Sequence, residues 1–272
     1  MAAAARIPMD TDRLDAHLAA GGFDGYLVDA AGDDSDQRYL SGFDAPDPYL
    51  TLYTADSLRL LVSELEYGRA RETSAADHVA RLSDFDYAGR REEVGARAAR
   101  RSVVAAFVED ADVESLAVPR RFPLDTADGL REHGVAVEPD DDGIVTEMRA
   151  VKTDAEVEHV RATQRANEAA MAAAESLLAG ADAVDGVLHH DGEPLTAERV
   201  KREIERTLLE HGCSEEDTIV AAGEHGADPH DRGSGPIPAD ELVVVDIFPR
   251  SKATKYHADM TRTFVVGEAS DE

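Results

Sequence analysis

Two aspartates, Asp246 and Asp259, stand in the run VVVDIFPRSKATKYHADMTRTF near the end of the sequence. Asp246 follows Leu242-Val243-Val244-Val245 and precedes Ile247-Phe248. A continuous apolar run of this kind reads as a strand buried on both faces. A carboxylate inside it cannot stay charged and unpaired without a large desolvation cost. The next segment, Pro249 to Thr254 (PRSKAT), is of turn type, and Tyr256 to Val266 returns as a second strand. Antiparallel pairing of the two brings both carboxylates together. Like charges so placed repel, and a shared proton or a metal relieves them. Their oxygen donors suit hard divalent ions. Two aspartates alone do not hold a catalytic metal pair, so further His or Glu ligands are required. A salt bridge from Asp246 to an arginine, or an exposed strand end, is the structural alternative.

His230, in Ala-Asp-Pro-His, falls in a Gly/Pro-rich loop just before the first of these strands. A loop histidine after proline is usually a surface residue. His225, His211, His257 and the pair His189-His190 read the same way. His257 stands two residues before Asp259 and would share its face in a strand.

The elements that must position these residues follow in two blocks. Up to about residue 140 strands and helices alternate, the pattern of an α/β domain. Asp12 to Leu18 and Arg90 to Val108 have helical spacing, as does Thr126 to His133, closed by Gly134. Strands are expected at Phe23 to Asp29, Ser115 to Val118 and Val135 to Val137. A hairpin is expected from Tyr49–Tyr53 and Leu58–Val62. PDDDG, Pro139 to Gly143, reads as a turn or linker and sets the domain boundary, 1–142 and 143–272. Beyond it, Thr153 and Glu156 form a capping-box pattern. Val157, Val160, Gln164, Asn167, Met171, Ala174 and Leu178 recur at helical spacing, and Gly180 ends the helix. A second helix starts near Thr196, carries Val200, Ile204 and Leu208 on one face, and stops at Gly212. From Thr218 the chain turns to strand and loop.

Composition narrows the partners. With 57 acidic against 28 basic residues the net charge is −29, so a nucleic-acid phosphate backbone is an unfavourable partner. Acidic residues are spread along the chain and lysine occurs only at positions 152, 201, 252 and 255. This reads as the hydrated acidic surface of a halophile-like protein, in which salt screens self-repulsion; an acidic protein at ordinary salt is the alternative. Cys213 is the sole cysteine, so no intrachain disulfide forms. The opening MAAAARIP lacks the apolar core of a secretory signal, and no apolar run is long enough to span a membrane. A cytoplasmic location is expected.

DTIVAAGEHGADPH, LVVVDIFPR and YHADMTRTF together resemble the pita-bread metallopeptidases, which include methionine aminopeptidases, Xaa-Pro aminopeptidases, prolidases and creatinases. TEMRAVKTDAEVEHVRAT, Thr146 to Thr163, resembles the entry of that catalytic domain. DQRYLSGFDAP and SELEYGRA resemble the creatinase/prolidase N-terminal domain. The fold expected from this likeness is an α/β N-terminal domain followed by an incomplete α+β pita-bread domain. The resemblance matches Asp246 to a terminal metal ligand, Asp259 to a bridging ligand, and His230 to a histidine that binds the substrate backbone. Thr261-Arg262-Thr263 matches the strand continuation after the bridging aspartate.

Two departures stand out. The interval between the aspartates is two residues longer than usual, and Phe248 replaces the usual glycine after Asp246-Ile247. The family's remaining ligands, one His and two Glu, belong to a C-terminal half beyond this sequence. The resemblance implies an enzyme with two divalent ions (Mn, Co or Zn) that cleaves short peptides carrying proline at the second position. A homodimer is expected, with neither nucleic acid nor membrane as partner. Having two of the ligands, the chain is expected to turn over little substrate by itself. The competing expectation is a catalytically incompetent fragment that binds or dimerises.

Overall fold

In the computed structural model, residues 11–268 are described. The MAAAARIP segment lies outside them. The chain divides into two compact units, Met1–Thr153 and Asp154–Glu272.

The first unit is built on a mixed six-stranded sheet. Its strands are β1 (Gly25–Ala30), β2 (Tyr49–Thr54), β3 (Leu58–Val62), β4 (His78–Arg81), β5 (Ser115–Pro119) and β6 (Ala136–Asp140). They lie in the order β4-β3-β2-β1-β5-β6. The β1–β2 and β2–β3 pairs are antiparallel, the second joined by the short Ala-Asp-Ser connection, and the remaining pairs are parallel. The helices are α1 (Thr11–Gly21), α2 (Ser35–Ser41), α3 (Tyr67–Thr73), α4 (Tyr87–Glu109), α5 (Leu124–Glu132) and α6 (Ile144–Ala150).

Side chains alternate across the sheet, so each face has its own core. Leu27, Leu52 and Leu116 pack with Val103, Val104 and Phe107 of α4 and Leu130 of α5. Tyr26, Val28 and Ala117 face the other way, onto Leu14 and Leu18 of α1 and Val145 and Met148 of α6. Apolar layers on both sides explain why the centre of β1 is buried throughout. Helix α4 is interrupted at Gly95, whose φ of 82° is open to glycine at no steric cost.

The unit boundary falls later than the PDDDG turn. Asp140 folds that turn tightly. Its carboxylate accepts from the amides of Asp142 (3.1 Å), Gly143 (2.9 Å) and Ile144 (2.8 Å). The turn thus launches α6, which buries Val145 and Met148 in the first unit's core, and the unit ends only after that helix.

The second unit contains α7 (Asp154–Ala179), β7 (Asp182–Val184), β8 (Val187–His190), β9 (Glu193–Pro194), α8 (Ala197–Glu210), β10 (Cys213–Ser214), β11 (Ile219–Ala222), β12 (Leu242–Ile247), β13 (Arg250–Ser251) and β14 (Met260–Val265). Strands β7–β9 form a small meander. The main sheet is antiparallel with β12 in the centre, in the order β11-β12-β14. Thr196 caps α8 by accepting from the Arg199 amide at 3.3 Å. Val200, Ile204 and Leu208 of α8 and Ala166, Ala170, Ala174 and Leu178 of α7 are fully buried against Val220, Val243, Val245 and Ile247. Alanine on α7 lets the layers approach closely. Among the described residues no helix is long and apolar enough to cross a membrane.

The apolar run of β12 is not buried on both faces. Burial alternates: Val243, Val245 and Ile247 are buried, Val244 and Asp246 are half-buried, and Leu242 is 55% exposed. Helices cover one face of this sheet. The other face carries Asp246.

Candidate metal centre

Strand β12 and strand β14 keep one register throughout. Leu242 pairs with Val265, Asp246 with Thr261 and Ile247 with Met260. Beyond the strands the same register continues to a bridge between Arg250 and His257. The amide of Ala258 donates to the carbonyl of Pro249 at 3.0 Å, in step with it. No residue is inserted between Asp246 and His257, so no bulge flips a side chain. Asp259, one residue ahead of β14, therefore stands opposite Phe248. It shares the face of Asp246 and Thr261, the face that the helices leave open. The two aspartates are diagonal neighbours across the ladder, roughly 7 Å apart at the backbone and within reach of a shared ion.

Asp246 is half-buried and Asp259 exposed. Thr261 lies directly opposite Asp246 and donates its Oγ1 to Asp246 Oδ1 at 2.5 Å. Neither carboxylate forms an ion pair with an arginine, lysine or histidine among the described residues. The salt-bridge alternative for Asp246 is thus absent from this structure. Two carboxylates and a hydroxyl on one face, without a basic partner, are a donor set that fits a hard divalent cation. Among the described residues no third His, Cys, Asp or Glu joins them.

His230 sits on the loop between β11 and β12, and it is exposed. Its amide donates to Asp228 Oδ1 at 2.9 Å, closing a turn. The loop is held elsewhere. Asp231 accepts from His225 Nδ1 at 2.6 Å and from the Gly233 amide at 2.8 Å. The His225 hydrogen bond holds the Asp231 carboxyl below its usual range. The Arg232 carbonyl receives the Val220 amide at 3.0 Å, tying the loop back onto β11. No hydrogen bond joins the His230 side chain to Asp246 or Asp259 among the described residues.

Cys213 is buried, and burial pushes its thiol up, away from a reactive thiolate. Sequence reasoning did not give Thr261 a role at Asp246. The signal was available in the strand spacing: once the hairpin is drawn, Thr261 falls opposite the first aspartate.

Comparison with known proteins finds two matching families and a shared fold. Residues 158–272 match Metallopeptidase family M24, and residues 11–162 match the Creatinase/Prolidase N-terminal domain. An Xaa-Pro dipeptidase of Pyrococcus horikoshii is 25% identical over 241 residues, 86% of this chain and 58% of the relative. The crystal structure of the prolidase from Pyrococcus horikoshii OT3 superposes with a TM-score of 0.71 at 22% identity. The match covers 96% of this chain and 65% of that one. The Xaa-Pro dipeptidase from Bacillus anthracis gives a TM-score of 0.72 at 19% identity, with 96% and 65% covered. The fold is that of a creatinase-like N-terminal domain followed by part of a pita-bread domain. The chain spans under two thirds of the length of these relatives.

Proposed function

Because the chain belongs to the creatinase/prolidase family of metallopeptidases, we propose that it serves hydrolysis of Xaa-Pro peptides at a centre of two divalent ions. Asp246 and Asp259 are the ligands this chain would contribute to that centre. Bound Mn, Co or Zn would supply Lewis acidity and a more acidic water. Thr261 orients the Asp246 carboxylate through its 2.5 Å hydrogen bond. His230 offers its imidazole to the backbone of a short peptide with proline at the second position. The observation that supports this most is the single register placing Asp246, Thr261 and Asp259 on the open face of the sheet. Further ligands have to come from outside the described residues, since none here completes the set. The same reading expects a homodimer in a salt-rich cytoplasm.

A second reading is a binding or dimerisation module without turnover. Leu242 and Val265 favour it: they are paired across the ladder, on the aspartates' face, and are 55% and 36% exposed. Mn²⁺ titration and peptide assays of the 272-residue chain separate the readings. Metal binding lost in both Asp246→Asn and Asp259→Asn, with little Xaa-Pro turnover by the chain alone, is the expected result. Binding that ignores both substitutions removes the metal centre. Chelator-sensitive turnover by the short chain means that a second subunit completes the ligand set.

A further inference from the structure

Both arms of the hairpin that carries the aspartates are tied to one stripe of α7. Asn167, fully buried, donates its Nδ2 to the carbonyl of Ile247 at 3.0 Å, the residue after Asp246. Thr163, one turn earlier and 1% exposed, shares its single hydroxyl proton between the carbonyl of His159 in its own helix, at 3.1 Å, and the carbonyl of Tyr256, at 3.2 Å. The Tyr256 hydroxyl donates to Glu156 Oε1 at 2.7 Å, and its ring lies 5.5 Å from that of His159. Glu156, His159, Thr163 and Asn167 follow one another at helical spacings of three and four, so they share one face of α7. That face grips the hairpin on each side of its turn, next to Asp246 on one arm and three residues before Asp259 on the other.

The ladder alone leaves this stretch weakly held. Between the Ile247–Met260 pair and the Arg250–His257 bridge, its backbone link is the bond from Ala258 to Pro249. Asp259 lies within that gap. The separation of the two carboxylates therefore depends on what fixes the arms from outside. The amide of Asn167 is also costly where it is. Its Oδ1 is buried without a hydrogen-bond partner, a cost that a leucine of similar volume would not carry at that atom. The bond to Ile247 is what the amide adds.

We propose that Asn167 and Thr163 are positioning residues: α7 sets the spacing of Asp246 and Asp259 by holding the carbonyl of Ile247, next to Asp246, and that of Tyr256, three residues before Asp259. This rests on the metal reading given above for its purpose, but its structural content is tested without metal. Amide exchange is measured on the full chain as wild type, Asn167→Leu and Thr163→Val. Exchange should quicken at least about tenfold around Ile247 in the first variant and around Tyr256 in the second, while β11 and α8 keep their protection. Mn²⁺ affinity should fall about tenfold in each. Unchanged exchange at the hairpin in both variants overturns the proposal. So does exchange that rises evenly across the second unit, since that reports lost stability alone. If Asn167→Leu does not fold, Thr163→Val carries the test by itself. Local exchange changes with Mn²⁺ binding insensitive to Asp246→Asn would support the clamp and sink the metal reading, so the two failures are distinguishable.

Discussion

Thr261 and Asp246 are directly opposed residues of an antiparallel ladder, with the threonine Oγ1 donating to the aspartate Oδ1 at 2.5 Å. The hydroxyl fixes one carboxylate oxygen and leaves the other free on the open face. A ligand whose orientation is set before the ion arrives loses less freedom on binding.

Thr261→Val tests that relationship. Valine keeps the branched shape and the strand preference but lacks the hydroxyl. Calorimetric titration should show Mn²⁺ affinity lower by about tenfold. The thermal midpoint should move by less than about 3 °C. Equal affinity in variant and wild type would mean the hydrogen bond does not orient the ligand.

Gly233 should tolerate no side chain. Its φ is +71°, and an added Cβ would lie 1.8 Å from the Val220 carbonyl oxygen. The clash is with backbone, so the His230 loop must leave β11 to relieve it. Gly233→Ala is expected to cost more than about 2 kcal/mol in denaturant unfolding. A variant as stable as wild type would show that the loop does not lie against β11 in solution.

Asp125 should titrate low. Arg97 Nε, at 2.7 Å, and Arg101 Nη2, at 2.6 Å, both donate to its Oδ1. They hold its carboxyl down from 3.8 to about 2. A folded value below the unfolded one stabilises the fold above the unfolded pKa. That contribution is lost as pH falls from near 4 towards 2. The group is exposed, so the effect on stability is small and screened by salt. NMR titration of the carboxyl carbon should give the depressed value, and Arg97→Ala should raise it. A value near 3.8 in the wild type refutes the pairing.

Salt should stabilise the whole chain. At a net charge of −29 the folded state repels itself, and the repulsion shortens in range as ionic strength rises. Thermal midpoints in KCl from about 0.1 M to about 2 M should climb, since the screening length drops from about 10 Å to under 3 Å. A flat or falling midpoint contradicts the expectation of a halophile-like surface.

The sequence by itself determined the parts that rest on local pattern. Val200, Ile204 and Leu208 announced the buried face of α8, and Thr196 its start, because helical period and capping are short-range physics. The β2–β3 hairpin followed from two β-prone runs and a three-residue connection. Asp246 and Asp259 were legible as a pair because an acidic residue beside a valine run is costly. Tertiary structure decided the rest. It gave β12 one covered and one open face, which a run of valines cannot announce, since burial depends on what packs against a strand. It carried the first unit through α6, because Val145 and Met148 find their partners in α1 and β1, far away in sequence. Finally, it placed Asn167 under Ile247. Helical spacing put Asn167 on the apolar stripe, but only the meeting of α7 with the hairpin shows which carbonyl its amide holds.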